Sequence, residues 1–263
     1  MNVLGTWNQA CRVNEPGIGA HLGVLMTGYL PLEPVASPDV HTLDEFMRGQ
    51  EDYFFSSAWE RTWRPALRTL ILKRFREQLA EHSYAIVKEP HGSQAAELLM
   101  SLLPSSRLIF LLRDPRDVID SMLDTLAPHS WFMAELEGFR ALDREAVIRS
   151  QAYAWLWRTE AVQRAFDAHR DDLKMLVRYE DIRADPKPTL VRLADWLDLN
   201  EKPIVKLAEL TAIDRMPSEE IRPGRFIRSA APGRWRTSLS RQEQDLIHDI
   251  LAEKLTELGY SAD

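Results

Sequence analysis

The fold is decided by one stretch of sequence, Arg107-Leu-Ile-Phe-Leu-Leu-Arg-Asp-Pro-Arg-Asp-Val-Ile-Asp-Ser121, in which a buried strand, a charged turn and the start of a helix follow one another. Leu108 to Leu112 is a continuous apolar run, as expected for a parallel strand that is covered on both faces. Asp114 can cap the following helix, Pro115 suits its first position, and Asp117 adds negative charge to its first turn. A strand that ends in such a turn is where α/β proteins place their ligands.

Two side chains of this stretch, Arg113 and Ser121, are not explained by folding alone. Arg113 stands at the carboxyl end of the strand, and Ser121 follows it by eight residues on the predicted helix. A guanidinium fork and a hydroxyl that converge on one crevice suit a phosphate group. A surface ion pair and a solvated serine are the simpler interpretation of these two residues alone, but the strand and the D-P-R-D-V core between them favour a phosphate site.

The pattern Arg113-Asp-Pro-Arg-Asp-Val-Ile-Asp-Ser121 resembles the 3′-phosphate site of the sulfotransferases that use 3′-phosphoadenosine 5′-phosphosulfate (PAPS). The resemblance implies a P-loop NTPase-like α/β fold in which Arg113 and Ser121 bind the 3′-phosphate of PAPS or of its product, adenosine 3′,5′-bisphosphate (PAP). It also implies an enzyme that transfers a sulfuryl group from PAPS to a hydroxyl or amine acceptor.

A second segment, Arg178-Tyr-Glu-Asp181, is similar to the R-Y-E-D segment of the same family. It follows a predicted strand and leads through Asp185-Pro186 into a predicted helix. In the family the tyrosine lies near the adenine, where stacking and a phenol hydrogen bond suit an aromatic hydroxyl. The resemblance therefore implies that Tyr179 contacts the adenine, although a half-buried aromatic would be the simpler interpretation without the first motif.

A third segment is a late, arginine-rich loop. Arg228, Gly233 and Trp235 match the family pattern R-x-x-x-x-G-x-W, in which the arginine closes over the 3′-phosphate and the tryptophan anchors the loop. The resemblance implies that Arg228 binds the 3′-phosphate together with Arg113 and Ser121.

The catalytic groups are expected in the turn after the strand Tyr84 to Val87. Many sulfotransferases carry a lysine at this strand end and a catalytic base just beyond it, which implies that Lys88 offsets charge on the leaving phosphate oxygen. Glu89 follows Lys88 by one residue and His91 by three, whereas the family's histidine follows by two. Either Glu89 or His91 is therefore the candidate base, and the spacing leaves both open.

The remaining pattern alternates strands with helices, which predicts a parallel sheet with helices on both faces in a single domain spanning 1–263. The other predicted strands are Ala10–Asn14 and Leu173–Val177. The other predicted helices are Leu43–Met47, Pro65–Leu79, Ser93–Leu103, Arg149–Ala168, Pro186–Leu197 and Arg241–Leu258.

The amino terminus departs from the family, which begins with a strand and a P-[RK]-S-G-T turn that cradles the 5′-phosphosulfate. The sequence carries no such segment, so we expect an N-terminally incomplete version of the fold: a start assigned too late, a truncation or a derived form. The alternative function is a catalytically inactive PAP-binding remnant that acts as a partner or regulatory protein. A P-loop kinase is disfavoured because G-x-x-x-x-G-K-[ST] is absent.

Composition narrows the class of protein further. The net charge of -7 argues against a general nucleic-acid binder, and no apolar run approaches the roughly 20 residues of a membrane span. The lone Cys11 offers no disulfide framework, and no His/Cys cluster has metal-ligand spacing, so we expect a cytoplasmic protein without a metal. The acceptor is expected to be a small molecule or a glycan, with residues 17–37 and 129–141 as candidate pocket loops.

Overall fold

The computed structural model describes residues 10–14, 57–76, 79–80, 84–88, 93–127, 130, 143–210 and 231–261. Among these, two compact units are distinguished by their internal contacts: residues up to 110 together with 157–176, and residues 111–156 together with those from 177 onward. Each unit is described by itself, and the single domain over 1–263 stays a prediction.

The first unit contains a parallel strand pair. β1 (Ala10–Asn14) and β2 (Tyr84–Lys88) pair in parallel, with Ala10 opposite Tyr84 and Asn14 opposite Lys88. Both strands were expected from the sequence, and β2 is longer by one residue. Because parallel neighbours need a long crossover connection, this pairing is typical of an α/β fold. The predicted α/β class with parallel strands is confirmed.

The helices of the first unit pack around a small apolar core. α1 (Glu60–Arg76) begins five residues before its predicted start at Pro65, because buried Trp63 adds a member to the apolar stripe of Ile71 and Phe75. α2 (Ala96–Leu102) follows a 3₁₀ turn at Ser93–Ala95, so the helix predicted over Ser93–Leu103 is confirmed except in its first turn. The buried core residues are Trp63, Ile71, Phe75, Ala95, Leu98 and Leu102.

A second two-stranded sheet contains the decisive stretch of sequence. β3 (Leu108–Leu112) is a hydrogen-bonded neighbour of β4 (Lys174–Arg178), which lies one residue later than predicted. Phe110 and Leu112 are buried, but Leu111 is 58% exposed. Successive side chains of a strand point to opposite faces, so among the described residues the face with Phe110 and Leu112 is packed and Leu111 on the other face is not covered.

Four helices contribute buried residues to the core of the second unit. α3 (Pro115–Thr125) begins as predicted, with Asp114 accepting the backbone N–H of Arg116. α4 (Arg144–Ala168) begins five residues earlier than predicted, and Asp143 accepts the N–H of Ala146 at 2.8 Å. The buried members of this core are Ile119, Leu123, Val147, Ile148, Ala152, Trp235, Leu239, Ile247, Leu251 and Leu255.

Among its described residues, the carboxyl-terminal half contains three helices that the sequence patterns did not indicate. These are α5 (Tyr179–Ala184), α7 (Glu201–Leu210) and α8 (Trp235–Ser238). α6 (Pro186–Trp196) and α9 (Arg241–Glu257) confirm the two predicted helices, and the predicted helix Leu43–Met47 lies outside the described residues. Within the described part of the chain, no helix is both long and apolar enough to cross a membrane.

Candidate functional site

Arg113 and Tyr179 come together at the ends of β3 and β4. Arg113 directly follows β3, and Tyr179 begins α5 directly after β4. The guanidinium carbon of Arg113 lies 4.5 Å from the centroid of the Tyr179 ring, within the range of a cation–π contact. The neighbouring strands thus bring two of the predicted nucleotide-binding residues into direct contact.

The Nε atom of Arg113 is buried and has no hydrogen-bond partner in the described part of the chain. Such a group costs about 1–3 kcal/mol unless an acceptor reaches it. An anionic oxygen would satisfy this donor with a charge-assisted hydrogen bond. The observation fits the predicted role of Arg113 as a phosphate ligand.

Tyr179 is protonated at neutral pH. Burial raises the pKa of its phenol above the ordinary value of 10, and the charge of Arg113 opposes that rise. The hydroxyl therefore keeps a proton that it can donate. The tyrosine ring packs on Arg113 in this structure, and its contact with the adenine stays a prediction.

Ser121 lies on α3, eight residues after Arg113. Residues four apart share one face of a helix, so Ser121 lies one turn beyond Asp117 on the same face of α3. Its side chain is half-buried, and its carbonyl accepts the hydroxyl of Thr125 at 3.0 Å. Phosphate binding by Ser121 stays a prediction.

The turn between β3 and α3 is held by a buried ion pair. Nε and Nη2 of Arg116 donate to the two carboxylate oxygens of Asp114 at 3.0 and 2.9 Å, and only 5% and 9% of the two side chains are exposed. The guanidinium of Arg116 also lies 4.0 Å from the centroid of Trp235. The pair therefore fixes the residue that follows Arg113 and also contacts the late loop.

Asp117 joins the same turn to the late loop. Its Oδ2 accepts the backbone N–H of Gly233 at 2.7 Å, and its Oδ1 accepts that of Trp235 at 3.2 Å. Gly233 has a φ of 76°, and a Cβ there would lie 2.8 Å from Nη1 of Arg236. The positive φ therefore favours a glycine at this position of the G-x-W pattern.

Glu180 connects the turn to the carboxyl-terminal segment. Its Oε1 accepts the backbone N–H of Asp114 at 2.8 Å, and its Oε2 accepts the Tyr260 hydroxyl at 3.4 Å. Burial, and then the charge of Glu180, raise the pKa of Tyr260. Arg178 lies 5.0 Å from the Tyr260 ring and donates to the carbonyl of Leu258.

A cavity of about 400 Å³ opens beside these contacts. Three carboxylates line it, and they would repel a phosphate in the absence of an equal number of cations. Neither Arg113 nor Ser121 lines this cavity. Its walls are formed by Asp114, Arg116, Asp117, Glu180, Pro232, Gly233, Arg236, Gly259, Tyr260 and Ser261.

Of the remaining predicted site residues, the structure describes only Lys88. Lys88 is the exposed last residue of β2 in the first unit. Glu89, His91 and Arg228 lie outside the described residues. Within the described ranges, no group of three or more His, Cys, Asp or Glu side chains could hold a metal ion.

Two of these structural roles were missed by sequence reasoning. Asp117 was expected only to add charge to the first turn of α3, and Glu180 was quoted only as part of the R-Y-E-D motif. Both residues stand within motifs that carried the family resemblance, which was the signal available. The partners of Asp117 and Glu180 lie far away in the sequence, so these contacts could be identified only in the folded structure.

Comparison with known proteins supports the family resemblance that the motifs indicated. Residues 36–203 match the model of the Sulfotransferase family, which covers more than half of the chain. The chain belongs to this family. The matched range contains Arg113, Ser121 and Tyr179 and the turn 88–91, whereas Arg228 lies beyond it. The comparison with curated proteins finds no match.

Solved structures of sulfotransferases resemble the chain at low sequence identity. The sulfotransferase STF9 from Mycobacterium avium has a TM-score of 0.53 and 16% identity, over 86% of this chain and 56% of that one. This likeness confirms the predicted sulfotransferase fold.

Two further structures have TM-scores below 0.5. Retinol dehydratase, in complex with androsterone and inactive cofactor PAP, gives 0.45 at 18% identity, over 72% of this chain and 61% of that one. The sulfotransferase domain from the curacin biosynthetic pathway gives 0.44 at 15%, over 97% and 98%. The chain thus spans 61% and 56% of the lengths of retinol dehydratase and STF9.

Proposed function

We propose that the protein is a PAPS-dependent sulfotransferase that acts on a hydroxyl or amine of a small-molecule or glycan acceptor. The observation that carries this proposal is the buried, unpartnered Nε of Arg113 beside Tyr179, at the sequence position where the family binds the 3′-phosphate. A 3′-phosphate distinguishes PAPS from ordinary adenine nucleotides. A site that selects it supports the use of PAPS.

The proposed reaction is an in-line transfer of the sulfuryl group from a phosphate oxygen of PAPS to an oxygen or nitrogen atom of the acceptor. The acceptor atom forms a bond to sulfur while the bond between sulfur and the phosphate oxygen breaks, and PAP leaves. Glu89 or His91 takes the proton of the acceptor, and Lys88 offsets the charge on the leaving oxygen. Arg113, Ser121 and Arg228 hold the nucleotide and take no part in the bond changes.

Replacing Arg113 by Ala is expected to weaken PAP binding by about 1.5–3 kcal/mol, or about 10- to 150-fold, because a charge-assisted hydrogen bond to the 3′-phosphate is lost. Binding of adenosine 5′-monophosphate should change little, since that nucleotide lacks the 3′-phosphate. Isothermal titration calorimetry with both nucleotides measures the two affinities.

A matched control is Arg149→Ala, which removes an exposed arginine of the second unit that pairs with Glu145 at 2.8 Å. This variant should bind both nucleotides like the unmodified protein. If the unmodified protein binds PAP and adenosine 5′-monophosphate equally well, the 3′-phosphate site and the proposed function are wrong.

Transfer from PAPS to a panel of alcohols, phenols, amines and glycans then identifies the acceptor class, and tight PAP binding with no transfer would argue against an enzyme.

A further inference from the structure

Arg113 differs from two other arginines of the second unit in what its donors hold. Arg116 gives Nε and Nη2 to the carboxylate of Asp114. Arg178 gives Nη2 to the carbonyl of Leu258. The Nε of Arg113 is buried, yet no acceptor in the described part of the chain reaches it. Arg116 and Arg178 are thus engaged by the protein itself, whereas Arg113 has a buried donor that an external acceptor can satisfy.

The contact that Arg113 does make is with an aromatic ring. Its guanidinium carbon lies 4.5 Å from the centroid of Tyr179. A cation–π contact attracts the charge to the face of the ring, and it forms no N–H···O hydrogen bond of the kind a carboxylate would accept. An arginine side chain loses rotamer entropy when a ligand fixes it. The ring therefore limits the conformations of Arg113 while the Nε donor stays available.

The backbone places the ring opposite Arg113. Arg113 follows β3 and Tyr179 follows β4, and these two strands are hydrogen-bonded neighbours. The next residue of each segment adds a second connection, since the N–H of Asp114 donates to Oε1 of Glu180 at 2.8 Å. Two consecutive residues of one segment therefore meet two consecutive residues of the other. The contact between ring and guanidinium is set by the fold of both segments.

We propose that Tyr179 is a positioning residue for Arg113, whose ring orients the guanidinium toward the 3′-phosphate and so contributes to the preference for a 3′-phosphorylated nucleotide. The inference rests on the proposed function. It differs from the adenine contact that the family resemblance implies, because an adenine contact strengthens the binding of PAP and of adenosine 5′-monophosphate alike. The role belongs to the ring, and the phenol hydroxyl is not needed for it.

Two variants separate the ring of Tyr179 from its hydroxyl. Tyr179→Leu removes the ring, so calorimetry on the full chain should show the preference for PAP over adenosine 5′-monophosphate lowered about fivefold. Tyr179→Phe keeps the ring and should keep the preference, even where the two affinities fall together. In an Arg113→Ala background, Tyr179→Leu should cause no further loss of preference, because the group that the ring positions is already gone.

A graded change of the ring tests the contact without changing its shape. Mono-, di- and trifluorinated phenylalanine at position 179 withdraw electron density from the ring face, which weakens its attraction for a cation. The preference for PAP should fall stepwise with each added fluorine. This series replaces Tyr179→Leu if that variant does not fold.

The matched control is the same series at position 260. The Tyr260 ring lies 5.0 Å from the guanidinium carbon of Arg178, in a second tyrosine–arginine contact of the same unit. Relative to unsubstituted phenylalanine at position 260, fluorination there should leave the preference for PAP unchanged. A fall of similar size at both positions would contradict a specific role of Tyr179.

The outcomes distinguish this inference from the proposed function. If the unmodified protein prefers PAP and that preference survives Tyr179→Leu, or the fluorinated series in its place, the positioning role is wrong and the proposed function stands. An equal loss of affinity for both nucleotides also overturns the role, because Tyr179 then acts on the part that they share. So does a loss of preference that is equally large with and without Arg113. If the unmodified protein shows no preference for PAP, the proposed function is wrong and the inference fails with it.

Discussion

Asp114→Ala is expected to lower the free energy of unfolding by about 3–5 kcal/mol, because it removes one partner of a buried ion pair. Asp114 holds two nitrogens of Arg116, and both side chains are at least nine-tenths buried. The same substitution also removes the N-cap of α3. Urea unfolding followed by tryptophan fluorescence measures the loss.

Two further variants divide this loss. Asp114→Asn keeps a side chain that can cap a helix, so it should retain about 1 kcal/mol of stability that Asp114→Ala loses. Glu145→Ala breaks an exposed ion pair, since 54% of the Glu145 side chain and 51% of the Arg149 side chain are exposed. It should lower the free energy of unfolding by less than about 1 kcal/mol. Equal losses for Asp114→Ala and Glu145→Ala would show that the buried pair contributes no more to the free energy of unfolding than the exposed one.

The elements with local signals were predicted closely. β3 has the predicted bounds because an unbroken apolar run ends at Arg113, and α3 begins where Asp114 and Pro115 indicate. By contrast, α5 was missed because six residues leave too little sequence for a helical period to show. The R-Y-E-D segment was placed only between a predicted strand and a predicted helix, whereas Tyr179 is the first residue of a helix of its own.

The candidate site was only partly readable from the sequence. Arg113 and Tyr179 could each be named from a motif, but their contact depends on β3 and β4 being neighbours. The roles of Asp117 and Glu180 depend on segments far away in the sequence, and no local pattern records which backbone N–H a carboxylate will accept. Charge and hydropathy patterns predict the elements, while these contacts are set by the tertiary fold.

The choice of catalytic base has the largest expected effect on turnover. Replacing the base should lower turnover from PAPS by about 10²- to 10⁴-fold with little change in PAP affinity, because only proton transfer is lost. We expect His91→Asn to show this loss, since a histidine ordinarily titrates near pH 6.5, whereas Glu89 would need burial to reach that range.

Glu89→Gln is the matched variant, because Glu89 lies two residues from His91 in the sequence and the change removes a proton acceptor without altering the side-chain size. Only one of the two side chains can lie within hydrogen-bond reach of the acceptor proton, so the two variants should differ. If His91→Asn keeps its turnover and Glu89→Gln loses it, the base is Glu89. If both keep it, the proton leaves by another route and the turn after Lys88 is not catalytic, although nucleotide binding at Arg113 would be unaffected.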